Sequence, residues 1–450
     1  MSRPRFRWPK FEGLWRERNF RRFWAAEAIS FMGSEVTDIA FPLVAVITLH
    51  AAPEQTGLLY AAFMAPGVVT GLFVGVWVDR LRRRPLIIAA DLTAAALVLW
   101  VPIASALGVL SIEQLYVLGI LFGVVGSIWG SAYTAFLPSL VRRDELVDAN
   151  SKLTATWSLS AIVGPGVGGL LVELVTAPVA MLVDAASYVA SAGLLTGLPV
   201  QESSLPPKAE RPGLAAEIAE GLHVIVSNPI QRSITGIHMI LALFQPLIAS
   251  IYVIFVVRHL HVSPFLFGVI TALGAVGFLI GSVSAPRLSR RFGLGRTALA
   301  AAVLLGLSPL FLPFARPQHP LAAPVFLIAA AIIGATGDLI LEVNLGSLRQ
   351  AVSPDRLLGR IGASERFFVL LIRIPAAVLG GYLGAHLGLR ATIAIGAAGH
   401  GLIFVWLALS PLRSLREVPP AVETSEPIMG DPSSGRSLGP DLPTIPPAVE

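Results

Sequence analysis

The stretch Gly75-Val76-Trp77-Val78-Asp79-Arg80-Leu81-Arg82-Arg83-Arg84-Pro85 lies between two apolar segments, each long enough to cross a lipid bilayer. It holds one acidic residue and four arginines. Fixed positive charges cannot lie in hydrocarbon, so this hinge must lie in water, and the positive-inside rule places that water in the cytoplasm. A patterned basic hinge in a chain with many apolar segments is typical of a transporter.

The composition of the whole chain indicates an integral membrane protein. Hydrophobic residues make up 54% of the 450 residues and charged residues only 14%, whereas a soluble domain carries about 25% charged residues. The absence of cysteine excludes disulfides, thiol chemistry and cysteine-ligated metal. The net charge is +5, but the arginines fall in short clusters between apolar runs. That distribution follows from membrane topology, so we expect no nucleic-acid partner.

Twelve apolar segments reach the roughly 20 residues that a membrane-spanning helix needs. We therefore predict an all-α integral membrane protein in which twelve transmembrane helices form two pseudo-symmetric six-helix bundles. The predicted spans are 23–49, 55–78, 85–108, 112–136, 153–175, 178–198, 230–257, 264–285, 296–315, 321–346, 363–387 and 389–409.

The segments outside the spans complete the predicted domain organisation. The basic lead-in has no small-residue cleavage site, so it is interpreted as cytoplasmic and not as a signal peptide. The tail is rich in proline and poor in aromatic residues, which favours disorder. The five parts are a lead-in (1–22), an N-terminal bundle (23–198), a cytoplasmic connector with an amphipathic helix (199–229), a C-terminal bundle (230–412) and a disordered cytoplasmic tail (413–450).

The distribution of basic residues predicts the orientation. If both termini are cytoplasmic, all but four of the 33 lysines and arginines lie on the cytoplasmic side. The exceptions are Arg258, Arg316 and Arg390 in outer loops and Arg373 within a span. This asymmetry predicts a multi-pass protein of the cell membrane with both termini in the cytoplasm.

The two halves of the chain repeat each other. Such parallel six-helix halves indicate a transporter that rocks about a site at the midplane between them. A shift of 211 places Gly126, Leu137, Val141, Asp144 and Leu146 on Gly337, Leu348, Val352, Asp355 and Leu357. A shift of 207 places Arg80, Leu81, Arg83 and Arg84 on Arg287, Leu288, Arg290 and Arg291, with Asp79 on Pro286.

These segments resemble the major facilitator superfamily, in the drug:proton antiporter group that includes macrolide and enterobactin exporters. The resemblance covers about residues 19–412. The hinge is similar to the signature Gly-x-x-x-Asp-Arg-x-Gly-Arg-Arg, with Arg82 in place of the second glycine. The sequence 164–169 is similar to the antiporter signature Gly-Pro-x-x-Gly-Gly, and 184–188 and 349–360 also match the group's pattern. The motif residues are Gly75, Asp79, Arg80, Arg83 and Arg84 in the hinge and Gly164, Pro165, Gly168 and Gly169 in the fifth span.

The resemblance implies that the hinge is a gate. Asp79 at a helix end accepts backbone N–H bonds or pairs with arginines, and such a latch favours one face of an alternating-access cycle. The alternative is that the arginines only fix topology, although an acid among them adds nothing to insertion. In the fifth span, Pro165 removes a backbone hydrogen bond and the glycines let a neighbouring helix approach. Close packing around a kink explains that motif equally well.

Ionisable residues within spans are costly and are therefore functional candidates. Glu35 and Asp38 are three residues apart in the first span, and Asp338 and Glu342 are four apart in the tenth, so each pair shares one helix face. A carboxylate that moves between wet and apolar surroundings gains and loses a proton. We take these four residues as proton-coupling candidates, with Arg373 as a counter-ion for Asp338.

Other polar residues in the spans receive structural interpretations. Glu27 is expected at the membrane interface, and Asp184 is expected to accept structural hydrogen bonds. His238 and His400 are expected to form bonds within a bundle without a coupling role. Four further residues are candidates for the wall of a substrate cavity: Trp129, Tyr133, Gln245 and Tyr252.

Sequence motifs for enzymatic activity are missing. None of the three lysines follows a Gly-x-x-x-x-Gly run, so there is no phosphate-binding loop. The sequence also has no His-Glu-x-x-His and no Gly-x-Ser-x-Gly. A hydrolase built on Ser364 and His400 would rest on a lone pair from separate helices. We expect no enzymatic activity, no cofactor and no metal.

The leading hypothesis is a secondary transporter that exports amphipathic small molecules, drug-like or macrolide-like, by proton antiport. Its expected partners are the substrate, protons and the lipid bilayer, and we expect a monomer. The alternatives are a dedicated exporter of one metabolite such as a siderophore, or a lysolipid transporter. A receptor of this fold that does not transport is a more remote alternative.

The hinge hypothesis predicts the effect of Asp79→Asn. Insertion should be unchanged because the arginines remain. Transport should slow about tenfold, which corresponds to the loss of roughly one charge-assisted hydrogen bond. Membrane levels and flux of the variant and the wild type are the measurements. Normal flux from a well-expressed variant would exclude the gating role.

Overall fold

A computed structural model describes residues 13–68, 70, 78, 81–198, 214–318 and 322–417 of the chain. Within these residues the chain forms thirteen α-helices. They are α1 (Arg18–Leu43), α2 (Pro53–Met64), α3 (Arg83–Ala106), α4 (Ile112–Leu140), α5 (Leu146–Leu174), α6 (Ala177–Thr196), α7 (Leu214–Ser227), α8 (Pro229–Val253), α9 (Pro264–Phe292), α10 (Leu294–Leu307), α11 (Ala322–Val352), α12 (Asp355–His386) and α13 (Leu389–Leu409).

Eleven of the described helical segments are long and apolar enough to cross a membrane, all except α2 and α7. Helix α2 begins the predicted second span, whose remainder is described only in part. Five residues of the hinge, 75–77, 79 and 80, lie outside the described residues, so the predicted role of Gly75, Asp79 and Arg80 stays a prediction. Helix α7 is the helix predicted in the connector.

Several helices begin earlier than the apolar pattern predicts. Helix α5 starts at Leu146 and not near 153, and α12 starts at Asp355 and not near 363. The extra turns are polar, and a helix continues into water because its backbone hydrogen bonds do not require an apolar surrounding. The earlier start of α12 puts Glu365 well inside the helix.

The repeat of the two halves is visible in backbone features. A turn of π-helix follows α1 at Val44–Thr48, and another follows α8 at Ile254–His259. His50 and His261, which are 211 positions apart, both have a positive φ, of 53° and 56°. Pro53 and Pro264, also 211 apart, both lie in the first turn of the next helix, where proline is favoured.

The two halves pack on each other mainly through two helix pairs, α5 with α9 and α2 with α12. We call the end of the bundle where α1 ends and α2 begins the far end. Here an apolar cluster takes buried residues from both halves, among them Val44 and Phe255. Arg258 Nη1 donates to Ala51 O at 2.8 Å, and the Phe265 N–H donates to Glu173 Oε2 at 3.0 Å. These contacts close the far end.

Glycines allow the backbones to touch at this closure. A Cβ atom on Gly381 would lie 2.6 Å from Pro53 O, and one on Gly57 would lie 2.8 Å from Ala377 O. On the other pair, a side chain at Gly169 would collide with Pro264 O, and one at Gly268 with Pro165 O. The close approach of the halves therefore depends on the missing side chains.

The far-end packing predicts that Gly169→Ala destabilises the closed arrangement. The added methyl group meets the backbone of α9, whereas Gly166→Ala on the same helix meets open space and is the matched control. Because the chain has no cysteine, Ala51→Cys supplies a single thiol at a site that is 1% exposed. In the purified protein, Gly169→Ala should raise the labelling rate of this thiol about tenfold. A tenfold change corresponds to a loss of about 1.4 kcal/mol in the stability of the closed arrangement.

The labelling rate of the Gly166→Ala protein should match that of the Ala51→Cys background. Equal labelling rates in the Gly169→Ala and Gly166→Ala proteins would contradict the role of Gly169 in the close packing of α5 on α9.

Candidate transport site

A cavity of about 270 Å³ lies between the two halves, next to the far-end closure. Helices α1 and α2 of the N-terminal half and α8 of the C-terminal half form its wall. The wall is mostly apolar and aromatic, and its few polar groups include Asp38 and Ser250. Asp38, the residue singled out in the first span, is exposed to this space. The cavity therefore combines apolar surface with a carboxylate.

The glycine motif of α5 lies where three helices cross. Gly164 packs against the side chain of Glu35, with a Cβ on the glycine 2.8 Å from Glu35 Cγ. A Cβ on Gly168 would lie 3.1 Å from Val36 Cα. Pro165 and Gly169 of the same motif contact α9 instead. The motif thus packs α5 both on the acidic segment of α1 and on the other half.

The C-terminal half contains a cluster of ionisable side chains from three helices. His238 of α8 places its Nε2 atom 2.9 Å from Glu342 Oε1 of α11, and its Nδ1 atom contacts Glu365 Oε1 of α12. Arg349 Nη2 lies 2.5 Å from Glu365 Oε2 and 3.3 Å from His238 Nδ1. We call these four residues the His238 cluster. Its members differ in exposure, because the Glu342 side chain is 48% exposed and that of Glu365 only 6%.

The proposed counter-ion of Asp338 has another partner. Arg373 donates a hydrogen bond to Gln245 Oε1. Among the described residues, no ion pair joins Arg373 to Asp338. Asp338 is half-buried on α11, four residues before Glu342. It therefore lies one turn from the His238 cluster.

The N-terminal half buries carboxylates against serines. Asp91 Oδ2 accepts from Ser191 Oγ at 2.7 Å, and Asp184 Oδ1 accepts from Ser187 Oγ at 3.0 Å, the structural role expected for Asp184. Glu27 is only 1% exposed. Helix α1 therefore turns Glu27 into the bundle, and its expected depth at the membrane interface stays a prediction.

The four predicted cavity residues have different neighbours, and their place in one substrate cavity stays a prediction. Trp129 lines a second cavity of about 270 Å³ inside the N-terminal half, and Tyr133 stacks on Trp129 with a ring separation of 5.0 Å. Gln245 is exposed and bonds with Arg373. Tyr252 packs on Phe267 and against the far-end cluster. Only the first two are neighbours, because α4 places them one turn apart.

The described part of the hinge anchors α3 to α6. Arg84 Nε donates to Leu195 O at 2.9 Å, and Arg84 Nη2 donates to Thr196 O. A cation at the C-terminal carbonyls of a helix is favourable because the helix dipole is negative there. Arg83 follows Arg82 as the first residue of α3. Arg84 thus stabilises one half, and its predicted part in gating stays a prediction.

Three residues of interest escaped the sequence interpretation. Glu365 lies just after the predicted start of the eleventh span and was not singled out. Asp91 was not singled out in the third span. His238 was given only a structural role. A count of every ionisable residue within the helices, polar ends included, would have found the first two.

Comparison with known proteins supports a transporter. The family profile described as Major Facilitator Superfamily matches residues 23–364. The multidrug efflux pump Tap of Mycolicibacterium fortuitum is 26% identical over 368 residues, which cover 80% of this chain and 88% of that protein. The enterobactin exporter EntS of Escherichia coli O127:H6 is 27% identical over 423 residues, 90% of this chain and 95% of that protein.

Solved structures share the fold. A bacterial homologue of the iron transporter ferroportin in an inward-facing state superposes with a TM-score of 0.68 at 18% identity, over 88% of this chain and 99% of that one. The outward-facing state with soaked iron gives a TM-score of 0.53 at 18% identity, over 87% and 99%. The predicted all-α membrane fold is confirmed.

Proposed function

This chain belongs to the major facilitator superfamily of membrane transporters, and we propose that it exports amphipathic small molecules by proton antiport with alternating access. The observation that carries the proposal is the cavity between the halves, which is closed at the far end and holds Asp38 in a mostly apolar wall. A wall of this kind suits a molecule with a large apolar surface and a few polar groups.

Export is favoured by the relatives and by the fifth-span motif. Two relatives are named as an efflux pump and an exporter. The first favours a drug-like substrate range. The second favours the alternative of one dedicated metabolite such as a siderophore, and a lysolipid is a further alternative.

The orientation proposed from the basic residues assigns the closed far end to one side of the membrane. If both termini are cytoplasmic, the far end faces the outside and the structure is inward-facing. The closer superposition on the inward-facing neighbour supports this assignment. On this proposal the chain is a monomer of the cell membrane with the domain parts 1–22, 23–198, 199–229, 230–412 and 413–450.

A proton gradient is sufficient for such transport. Each proton that moves inward across about 100 mV supplies about 2.3 kcal/mol, which sustains roughly fifty-fold accumulation of an uncharged substrate. The carboxylates proposed to carry the proton are Asp38 and Asp338, with Glu35 and Glu342 next. Asp38 is placed to do so because it is exposed to the cavity.

Flux in proteoliposomes tests the function. We expect macrolides, dyes and other unrelated amphipaths to move against their gradients when a proton gradient is imposed. Transport of one siderophore or lysolipid alone would favour a dedicated transporter. Binding without any flux would contradict transport and favour a receptor.

The coupling proposal predicts the effect of Asp38→Asn and of Asp338→Asn. Each should abolish proton-driven accumulation, from roughly fifty-fold to none, while exchange down a substrate gradient survives in part. The neutral amide keeps the shape of the side chain but carries no proton. Glu113→Gln, at the exposed start of α4, is the control and should behave as wild type.

Accumulation that persists in both asparagine variants and collapses with an uncoupler would place the coupling groups elsewhere. Glu35 and Glu342 would then be tested in the same way.

A further inference from the structure

We propose that His238 is the proton-binding switch of the C-terminal half, and that its proton joins α11 to α8 and α12. Loss of that proton releases Glu342 from the cluster and removes one link between α11 and α8, while Arg349 of α11 stays paired with Glu365 of α12. On this proposal, α11 then shifts about this remaining contact. This inference rests on the proposed function, because it names the site at which the transported proton acts.

The positions of the ring nitrogens carry the inference. Nε2 lies 2.9 Å from Glu342 Oε1, and Nδ1 contacts Glu365 Oε1 on the other side of the ring. A neutral imidazole has one N–H donor and one acceptor nitrogen, and an ionised carboxylate is an acceptor only. Two carboxylates are therefore both satisfied only by the imidazolium form, which has two donors.

The charges of the cluster balance in that form. Arg349 Nη2 lies 2.5 Å from Glu365 Oε2, so it positions this buried carboxylate and favours its ionised state. Two carboxylates then face one guanidinium and one imidazolium. Removal of the proton leaves one uncompensated negative charge in surroundings of low dielectric constant, which is unfavourable.

The helices that pack around α8 carry other polar and charged groups. Helix α11 also carries Asp338, and α12 carries Arg373, which bonds with Gln245 of α8. Helix α13 contributes Trp406, whose Nε1–H donates to Ser233 O of α8. In α7, Glu220 pairs with Arg360 of α12. No further carboxylate among the described residues contacts the ring.

Exposure gives the proton a route. The Glu342 side chain is 48% exposed, and an exposed carboxylate within a span faces water and not lipid. The proton passes from Nε2 to the Glu342 carboxylate and then to water, which leaves a neutral ring and an ionised Glu342. No other reactant takes part. Nε2 then presents a lone pair to a carboxylate oxygen, so the two groups separate.

Helix α11 is the part that moves. Helices α8 and α12 pack backbone to backbone, since a Cβ on Gly380 would lie 2.7 Å from Leu247 Cα. Helix α11 makes a much smaller contact with α8, to which His238 and Glu342 contribute. Helix α11 also carries Asp338, so its displacement changes the polar wall of the C-terminal half.

The test uses His238→Gln with His400→Gln as the matched control. Glutamine keeps a donor and an acceptor but holds no extra proton. His400 is also buried in a span, but its Nδ1 atom lies 2.8 Å from Gly396 O of its own helix. In proteoliposomes, His238→Gln should abolish proton-driven accumulation. The rate of substrate exchange should stay within about threefold of wild type, which is a change of less than about 0.7 kcal/mol in the barrier to exchange. His400→Gln should accumulate substrate normally.

A second measurement does not depend on transport. Nitrogen NMR spectra of histidine-labelled protein are compared at about pH 7.5, where ordinary histidines are mostly neutral. The signal that His238→Gln removes should be that of an imidazolium, and the signal that His400→Gln removes should be that of a neutral ring. A neutral ring at His238 would overturn the inference.

The inference and the proposed function fail in different ways. Wild-type protein without proton-driven flux would contradict the proposed function, while the spectra still decide the state of His238. Wild-type flux together with uncoupler-sensitive accumulation by His238→Gln would overturn the inference alone. If His238→Gln does not fold, His238→Asn, which also holds no extra proton, replaces it and should also lose accumulation.

Discussion

A charge within a membrane must meet either water or a partner, and this constraint accounts for the main features of the chain. It keeps most arginines out of the spans and so fixes the predicted topology. Inside the spans it allows few solutions, and the structure uses three of them. Asp38 faces a cavity, Asp91 and Asp184 accept hydrogen bonds from serines, and the His238 cluster combines acids with bases. Each solution gives the residue a different chemical role.

The two halves share a backbone plan but not a polar interior. The π-helical turns and the residues with positive φ recur 211 positions apart, so the repeat extends to local geometry. Asp91 and Asp184 of the N-terminal half are bound to serines. Glu365 of the C-terminal half instead contacts His238 and Arg349. The repeat therefore explains how the halves meet at the far end, and the differences locate the proposed proton chemistry in one half.

The sequence predicted the helices well because apolar length and basic loops are local signals. It also identified Gly168 and Gly169 as packing residues, since small residues in a span have few other uses. It did not identify the His238 cluster, because His238 of α8 and Glu342 of α11 are more than 100 residues apart in the sequence. No local sequence pattern indicates a contact over that separation. Glu365 lies in the first turn of the predicted span 363–387 and was not singled out, although it is an ionisable residue within a span. Arg373 forms a hydrogen bond with Gln245, and its predicted role as a counter-ion for Asp338 stays a prediction.

The packing of α9 connects the proposed switch to the closed end. Helix α11 packs on α9 through glycines, and Thr336 Oγ1 donates to Gly277 O at 3.0 Å. Further along α9, Gly268 contacts Pro165 O of the other half. Because backbone contacts of this kind leave no room for sliding without a change of partners, a displacement of α11 moves α9 with it. In the proposed cycle, proton release at His238 would thus loosen the contact between α9 and α5, so the same event that changes the cavity wall also weakens the far-end closure.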